Sequence, residues 1–119
     1  MAHRIMIVED VATTRTVLRK ILASGGYDVV EADSGEAAIR NYRTEMPDVV
    51  IMDVHMADLS GVGAMQVIMR LDPNARVVIC TSDADIAFVA ETKRLGARGY
   101  LRKPFAPEAV IKAIDEALA

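Results

Sequence analysis

The sequence has little of what several classes of protein require. Its one cysteine, Cys80, allows no internal disulfide, and a lone thiol suits a reducing compartment such as the cytoplasm. Tryptophan is absent and aromatic residues make up only 4% of the chain, so the core has to be aliphatic. The apolar runs Ile5–Val8 and Val49–Met52 are four residues long, far short of the roughly 20 that span a membrane.

The chain also lacks an excess of positive charge, with 14 Lys and Arg against 17 Asp and Glu. The formal net charge is −3 and the pI is near 5.3, whereas proteins that hold nucleic acid usually carry a basic face. We therefore expect no direct contact with nucleic acid or membrane, and a cytoplasmic monomer. The 119 residues suit one domain, at roughly 100–200 residues per domain, and we assign 1–119 to a single domain.

What the sequence does contain is an alternation of short apolar runs with amphipathic stretches. Five apolar runs start near positions 4, 28, 49, 77 and 99, and residues at helical spacing follow each one. Runs rich in Val and Ile are typical of strands buried on both faces of a parallel sheet, and the weaker second run suits an edge. Right-handed crossovers then predict an α/β fold, a doubly wound sheet with helices on both sides.

Capping and breaking residues indicate where the helices lie. Gly25–Gly26 are expected to end the first helix, Ser34 to cap the second, and Pro107 to begin the last. The first helix is predicted to bury one face, formed by Val17, Leu18, Ile21 and Leu22.

Polar side chains follow four of the five predicted strands. Glu9 and Asp10 come after the first, Asp53 after the third, Thr81 after the fourth and Lys103 after the fifth. Ligands of open α/β sheets bind at the carboxyl ends of the strands. Three carboxylates brought together there need a cation, and oxygen ligands suit Mg²⁺. Such a site would let a phosphoryl group approach a carboxylate nucleophile.

In this order and at these strand ends, the residues resemble the receiver domain of two-component response regulators, above all the single-domain CheY-like chemotaxis type. The resemblance covers the whole chain and extends to Gly61, to Gly96–Tyr100 and to Lys103–Phe105. It implies a five-stranded parallel (βα)5 flavodoxin-like sheet with strand order 2-1-3-4-5.

The resemblance also implies a role for each acid of the site. Asp53 would be the phosphoacceptor. Glu9, Asp10 and Asp53 would hold the cofactor Mg²⁺, with the backbone carbonyl of His55 as a further ligand. The Lys103–Pro104 peptide bond would be cis, as it usually is in the family.

Further residues would stabilise, transmit or end the phosphorylated state. The resemblance implies that Thr81 and Lys103 bind the phosphoryl group, and that Tyr100 turns inward when Thr81 moves. His55 and Asp83 occupy the positions that tune dephosphorylation in the family. Tyr100 could instead be an ordinary half-buried aromatic residue at the sheet edge.

The implied function is signalling rather than turnover of a substrate. The chain would accept a phosphoryl group from the phosphohistidine of a sensor kinase or of a histidine phosphotransfer protein, and would slowly remove it again. Output would be protein binding at the face of the fourth helix, fifth strand and fifth helix, with a flagellar motor switch protein as one such partner. A phosphorelay shuttle, a phosphate sink and the receiver of a longer regulator remain open.

Rival functions on the same architecture meet obstacles in single residues. An FMN carrier needs a Ser/Thr/Gly-rich phosphate cradle after the first strand, where Glu9–Asp10 would repel phosphate. An aspartate-nucleophile phosphatase needs a second acid at the position of His55. A degenerate receiver, which binds partners without phosphate, would lack one of the five site residues.

Two further segments have a less specific interpretation. The charges of the first helix, Arg15, Arg19 and Lys20, are expected to form a solvated face, with a place near the kinase-docking surface as the alternative. Family members often have proline where this chain has Ala57, so that loop is expected to be more mobile without loss of a functional group.

Overall fold

A computed structural model of the chain describes residues 2–56, 60–82 and 86–119. Within them, strands and helices alternate along the chain as predicted. The elements are β1 (Arg4–Val8), α1 (Ala12–Ser24), β2 (Asp28–Ala32), α2 (Gly35–Glu45), β3 (Val49–Asp53), α3 (Gly61–Leu71), β4 (Val77–Thr81), α4 (Ile86–Arg94), β5 (Gly99–Arg102) and α5 (Pro107–Leu118).

The strands form one parallel sheet in the order β2-β1-β3-β4-β5, which confirms the expected fold. The central strands β3 and β4 are buried along their whole length, whereas β2 at the edge is partly exposed. The apolar runs of β1, β3 and β4 therefore reflect burial on both faces of the sheet.

Alternate strand residues point to opposite faces, and each face has its own core. On one face, Met6 and Met52 pack with Met65 and Ile68 of α3 and with the buried residues of α2. The opposite core is formed by Ile5, Ile7, Ile51, Leu18, Leu22 and Ile114, so that face is covered by α1 and α5. This arrangement leaves the carboxyl ends of the strands accessible between the two helical layers.

The capping signals in the sequence work as predicted, with one correction in α1. The Ser34 hydroxyl accepts a bond from a first-turn N–H of α2, Gly26 adopts a φ of 87° after α1, and Pro107 lies in the first turn of α5. Val17, however, is 48% exposed while its neighbour Leu18 is buried. At 100° per residue, the buried stripe of α1 is narrower than predicted.

Two expectations about the thiol and the membrane can be compared with the fold. Cys80 is buried in β4, and burial raises the pKa of its thiol to about 12, so it stays protonated and unreactive at neutral pH. Across the described ranges, no helix combines the length and the apolar character that a membrane crossing requires.

Candidate functional site

The polar residues predicted to meet do lie at one edge of the sheet. Glu9 follows β1, Asp53 is the last residue of β3, Thr81 is the last residue of β4 and Lys103 follows β5. Because all the strands are parallel, their carboxyl ends share this edge. The topology thus brings together residues that are up to 94 positions apart in the sequence.

Three carboxylates form the centre of the site. Glu9, Asp10 and Asp53 each place one oxygen within 4.8 Å of the oxygens of the other two. Glu9 and Asp53 are 2% and 3% exposed, whereas Asp10 is exposed to solvent. Two buried carboxylates and an exposed third form this acidic recess at the carboxyl ends of the strands.

Lys103 supplies the positive charge of this recess. Its Nζ donates to Oε1 of Glu9 over 2.9 Å and lies 3.4 Å from Oδ1 of Asp53. Its backbone N–H donates to the carbonyl of Thr81 over 2.9 Å, which attaches the loop after β5 to the end of β4. The Lys103–Pro104 bond is cis, as the resemblance implies.

The protonation behaviour follows from burial and crowding. Burial raises the pKa of Glu9 to about 7, the hydrogen bond and the charge of Asp53 raise it too, and Lys103 acts in the opposite direction. Burial alone would lower the pKa of Lys103, but the hydrogen bond to Glu9 and the charges of Asp53 and Glu9 outweigh burial and raise it. Lys103 is therefore firmly cationic, and one cation serves two buried acids.

The donor set fits a magnesium ion. Its side-chain ligands would all be carboxylate oxygens, which is the chemistry that Mg²⁺ prefers. Oε2 of Glu9 is buried and has no hydrogen-bond partner within the described part of the chain. A buried acceptor without a donor is costly in a folded protein. A cation held by Glu9, Asp10 and Asp53 would satisfy it and would offset their mutual repulsion.

The backbone around Asp53 is unusually close-packed. A Cβ on Gly61 would lie 2.0 Å from the carbonyl oxygen of Asp53, so only glycine fits there. The Gly61 N–H donates to the carbonyl of Val54 over 3.3 Å, and the His55 N–H donates to Oδ1 of Asp53 over 3.3 Å. The sequence marks Gly61 only through the family resemblance, and its close approach to Asp53 emerges from the structure.

The remaining predicted residues lie around the recess or outside it. Thr81 is buried, and His55 is exposed. Tyr100 is 45% exposed, and its ring centroid is 6.0 Å from Nζ of Lys93, so the ring faces outward in this structure. Asp83, the second position expected to tune dephosphorylation, lies outside the described residues, as does Ala57.

One contact near the site was missed from the sequence. Arg15, assigned to a solvated face, is partly buried and donates from Nη1 to the backbone carbonyl of Glu9 over 2.7 Å. Arg19 and Lys20 are exposed, as expected. A basic residue one turn into a helix gives no local signal that it folds back onto the preceding loop.

Comparisons with known proteins agree with the geometry. A family model described as response regulator receiver domain matches residues 5–115. The chain is 37% identical over 117 residues to the chemotaxis protein CheY of Thermotoga maritima, with 98% of each covered. It is 40% identical over 115 residues to "Probable transcriptional regulator ycf27" of Guillardia theta, with 94% of this chain and 45% of that one covered.

A solved structure shows the same likeness in three dimensions. A chain of the CheX-CheY-BeF3-Mg+2 complex from Borrelia burgdorferi superimposes with a TM-score of 0.94 at 26% identity, with 98% of this chain and 90% of that one covered.

Proposed function

Because this chain belongs to the response regulator receiver domain family, we propose that Asp53 is a phosphoacceptor whose phosphorylation switches the binding of a partner protein. The observation that carries this proposal is the recess itself. Two buried carboxylates and an exposed one each place an oxygen within 4.8 Å of the others, beside the ammonium group of Lys103. Repulsion between the carboxylates lowers the stability of the folded protein. Arrangements of this kind are concentrated at functional sites, where binding or catalysis requires them.

Each residue of the recess has a distinct task in this reaction. An oxygen of Asp53 attacks the phosphorus atom of a phosphohistidine, the P–N bond breaks, and the departing imidazole takes a proton from solvent. Mg²⁺, held by Glu9, Asp10, Asp53 and the carbonyl of His55, would neutralise charge on the phosphoryl oxygens.

Lys103 and Thr81 complete the environment of the transferred group. The ammonium group of Lys103, already in contact with Asp53, would move its contact to a phosphoryl oxygen. The hydroxyl of Thr81, at the end of the neighbouring strand, would donate to another. Hydrolysis of the aspartyl phosphate by water would reset the switch slowly, with His55 and Asp83 tuning the rate, and no separate substrate is turned over.

Output is proposed at the face formed by α4, β5 and α5. Tyr100 lies on this face with an exposed ring, so an inward turn would change the surface that a partner meets. A movement of Thr81 toward the phosphoryl group would provide the space. The partner senses phosphorylation only through its different affinity for the two states.

The position of Tyr100 can be followed without a known partner. The NMR signals of the Tyr100 ring are assigned as those that are present in the wild-type spectrum and absent in Tyr100→Phe. A phosphoryl donor with Mg²⁺ is then added to the wild-type protein. We expect those signals to shift and to become protected from a soluble paramagnetic agent. Unchanged signals on a fully phosphorylated protein would contradict the switch role.

The pathway is proposed from the relatives. Similarity to the CheY proteins over nearly their full length favours chemotaxis, with a sensor kinase as donor and a motor switch protein as acceptor of the signal. The likeness to ycf27 extends over less than half of that protein, so a receiver of this kind also serves longer regulators. A phosphorelay shuttle or a phosphate sink would use the same recess. The buried free thiol suits a cytoplasmic setting.

The chemistry is tested by phosphorylation with acetyl phosphate or phosphoramidate and Mg²⁺, read by intact mass. We expect one phosphoryl group per chain in the wild-type protein, and none in Asp53→Ala or after chelation of Mg²⁺. A wild-type protein that stays unmodified while its fold is intact would refute the proposal. Rapid hydrolysis of a small phosphomonoester would favour a phosphatase instead.

A further inference from the structure

Arg15, in the first turn of α1, joins the acidic loop after β1 to the edge strand β2. Its Nη1 donates to the backbone carbonyl of Glu9 over 2.7 Å, and its Nε donates to Oε1 of Glu31 over 3.0 Å. A guanidinium can make both bonds at once because its donors are spread over a rigid, planar fork. The side chain is only 19% exposed, so these bonds are shielded from water.

In the described part of the chain, the backbone of the loop that receives this contact makes few other hydrogen bonds. The N-cap of α1 is Val11, which has no side chain able to accept a bond from the first turn. The N–H of Glu9 donates to the carbonyl of Ala32 over 3.1 Å, and the Glu9 carbonyl accepts from Arg15. One bond therefore holds the residue to β2, and the other holds the start of the loop that carries Asp10.

We propose that Arg15 is a positioning residue for the metal-binding acids. By holding the Glu9 carbonyl, it keeps the carboxylates of Glu9 and Asp10 in the arrangement that binds Mg²⁺. This inference rests on the proposed function, since it concerns the same recess. Groups that orient metal ligands typically change metal affinity by tenfold or more when they are removed, roughly the size of effect to expect here.

Arg19 provides a matched control on the same helix. It also pairs with Glu31, at 2.6 Å from Oε2, but its side chain is 46% exposed. Among the hydrogen bonds of the described residues, Arg19 makes none to Glu9. Arg19 first and Arg15 second lower the pKa of Glu31, so either arginine alone still has an ionised partner.

The change in Mg²⁺ affinity has opposite signs for a positioning role and for a purely electrostatic role, so the two arginine variants distinguish them. Removal of either cation makes the surroundings of the recess more negative, which by itself would tighten Mg²⁺ binding. Loss of the bond from Arg15 to the Glu9 carbonyl would weaken Mg²⁺ binding instead. Only Arg15→Met is therefore expected to weaken Mg²⁺ binding, whereas Arg19→Met should leave it unchanged or slightly tighter.

The test is calorimetric titration of Mg²⁺ into unphosphorylated wild-type, Arg15→Met and Arg19→Met proteins. Urea unfolding in EDTA measures any general loss of stability. We expect the Mg²⁺ Kd to rise about tenfold in Arg15→Met and to change less than about twofold in Arg19→Met. The Mg²⁺ concentration that half-saturates phosphorylation should rise in parallel, while the rate at saturating Mg²⁺ is kept.

Several outcomes would overturn the role of Arg15. Unchanged or tighter Mg²⁺ binding in Arg15→Met contradicts it, and so does an equal weakening in Arg19→Met. If Arg15→Met does not fold, Arg15→Leu replaces it, because leucine also has no donor for the Glu9 carbonyl. An unchanged Kd in that variant also contradicts the proposal. A wild-type protein without Mg²⁺ binding would contradict the proposed function instead.

Discussion

Carboxylates lie at both ends of the parallel strands, at the amino ends (the amino edge) and at the carboxyl ends (the carboxyl edge), but their hydrogen-bond partners differ. At the amino edge, Asp48 accepts a bond from the backbone N–H of Arg4 over 2.7 Å, and Asp72 accepts from the hydroxyl of Tyr42 over 2.8 Å. At the carboxyl edge, Glu9 and Asp53 face each other and share Lys103. Each acid named at the amino edge has a hydrogen-bond donor of its own. The two buried acids at the carboxyl edge repel each other and share one cationic side chain.

This difference separates structural acids from functional ones. A carboxylate that accepts hydrogen bonds from neighbouring groups ties loops together and stabilises the fold. Carboxylates that crowd one another destabilise the apo protein and create affinity for a cation. Acidity at a strand end is thus a weak indicator by itself, and the partners of each acid decide what it does.

The largest expected contrast is between Asp53→Asn and Asp72→Asn. Asp53→Asn should abolish the phosphoryl adduct completely, yet raise the free energy of unfolding in EDTA because it removes one of two repelling charges. Asp72→Asn should keep the adduct and lower the free energy of unfolding by about 0.5–1 kcal/mol. Intact mass and urea unfolding measure both quantities. Equal changes in the two variants would mean that the edges do not differ in this way.

Next in size is the effect of packing at the carboxyl edge, which Gly61→Ala tests. The new Cβ would meet the Asp53 carbonyl at 2.0 Å, so we expect a loss of about 2 kcal/mol in unfolding free energy. Phosphorylation should also slow by about tenfold, because Asp53 is displaced. Gly99→Ala is the control, since a Cβ added there would have no described atom within 4 Å other than those of its chain neighbours. A harmless Gly61→Ala would refute the close packing.

Tyr42→Phe tests the amino edge, with a smaller expected effect. Tyr42 is buried, and its hydroxyl donates to Asp72. Burial first, then this bond, raises the pKa of Tyr42 well above its usual range. Its loss should lower the unfolding free energy by about 1 kcal/mol, with phosphorylation unchanged. Tyr27→Phe, which removes an exposed bond to Asp115, should cost less. The reverse order of the two losses would be inconsistent with burial as the cause.

Substitution of Glu31 should have the smallest effect on stability. It tests whether the partners of an acid, rather than its place in the sheet, decide how it contributes. Glu31 lies near the carboxyl end of β2, but two arginines donate to its carboxylate. In this respect it resembles the acids at the amino edge. The two arginines lower the folded pKa of Glu31 below the ordinary value of 4.5. Its contribution to stability is therefore present above pH 4.5 and is lost as the pH falls through the folded pKa.

The pH dependence of unfolding should show this contribution. Glu31→Gln is expected to lower the unfolding free energy by about 0.5 kcal/mol at pH 7 and to have less effect below the folded pKa. Denaturant unfolding across this pH range measures it. A difference between variant and wild type that grows on acidification would have the wrong sign.

Much of the fold could be read from local patterns. The strand starts near positions 4, 28, 49, 77 and 99 coincide with the observed β1 to β5, because buried parallel strands produce continuous apolar runs. Ser34, Gly26 and Pro107 act where they were expected, because capping depends on a few neighbouring residues. The exposure of Val17 departs from the predicted pattern because the width of the buried stripe depends on what packs against α1.

The site was predictable in its members but not in its contacts. Once the strands are parallel, Glu9, Asp53, Thr81 and Lys103 have to share one edge, so their positions at strand ends were sufficient. The approach of Gly61 to the Asp53 carbonyl depends on the path of a loop, which no periodic pattern encodes.

By itself, the sequence determined the order of the elements, the aliphatic core and the set of groups at the carboxyl edge. The first two follow from hydrophobic periodicity, which acts through short stretches of chain. The third follows from the right-handed crossovers that make successive strands parallel. Only the tertiary structure decided that Oε2 of Glu9 is left without a donor among the described residues, that Arg15 folds back onto the Glu9 carbonyl, and that the Tyr100 ring faces outward. Those features require two distant segments to be placed within a few ångströms, which is settled by packing rather than by local pattern.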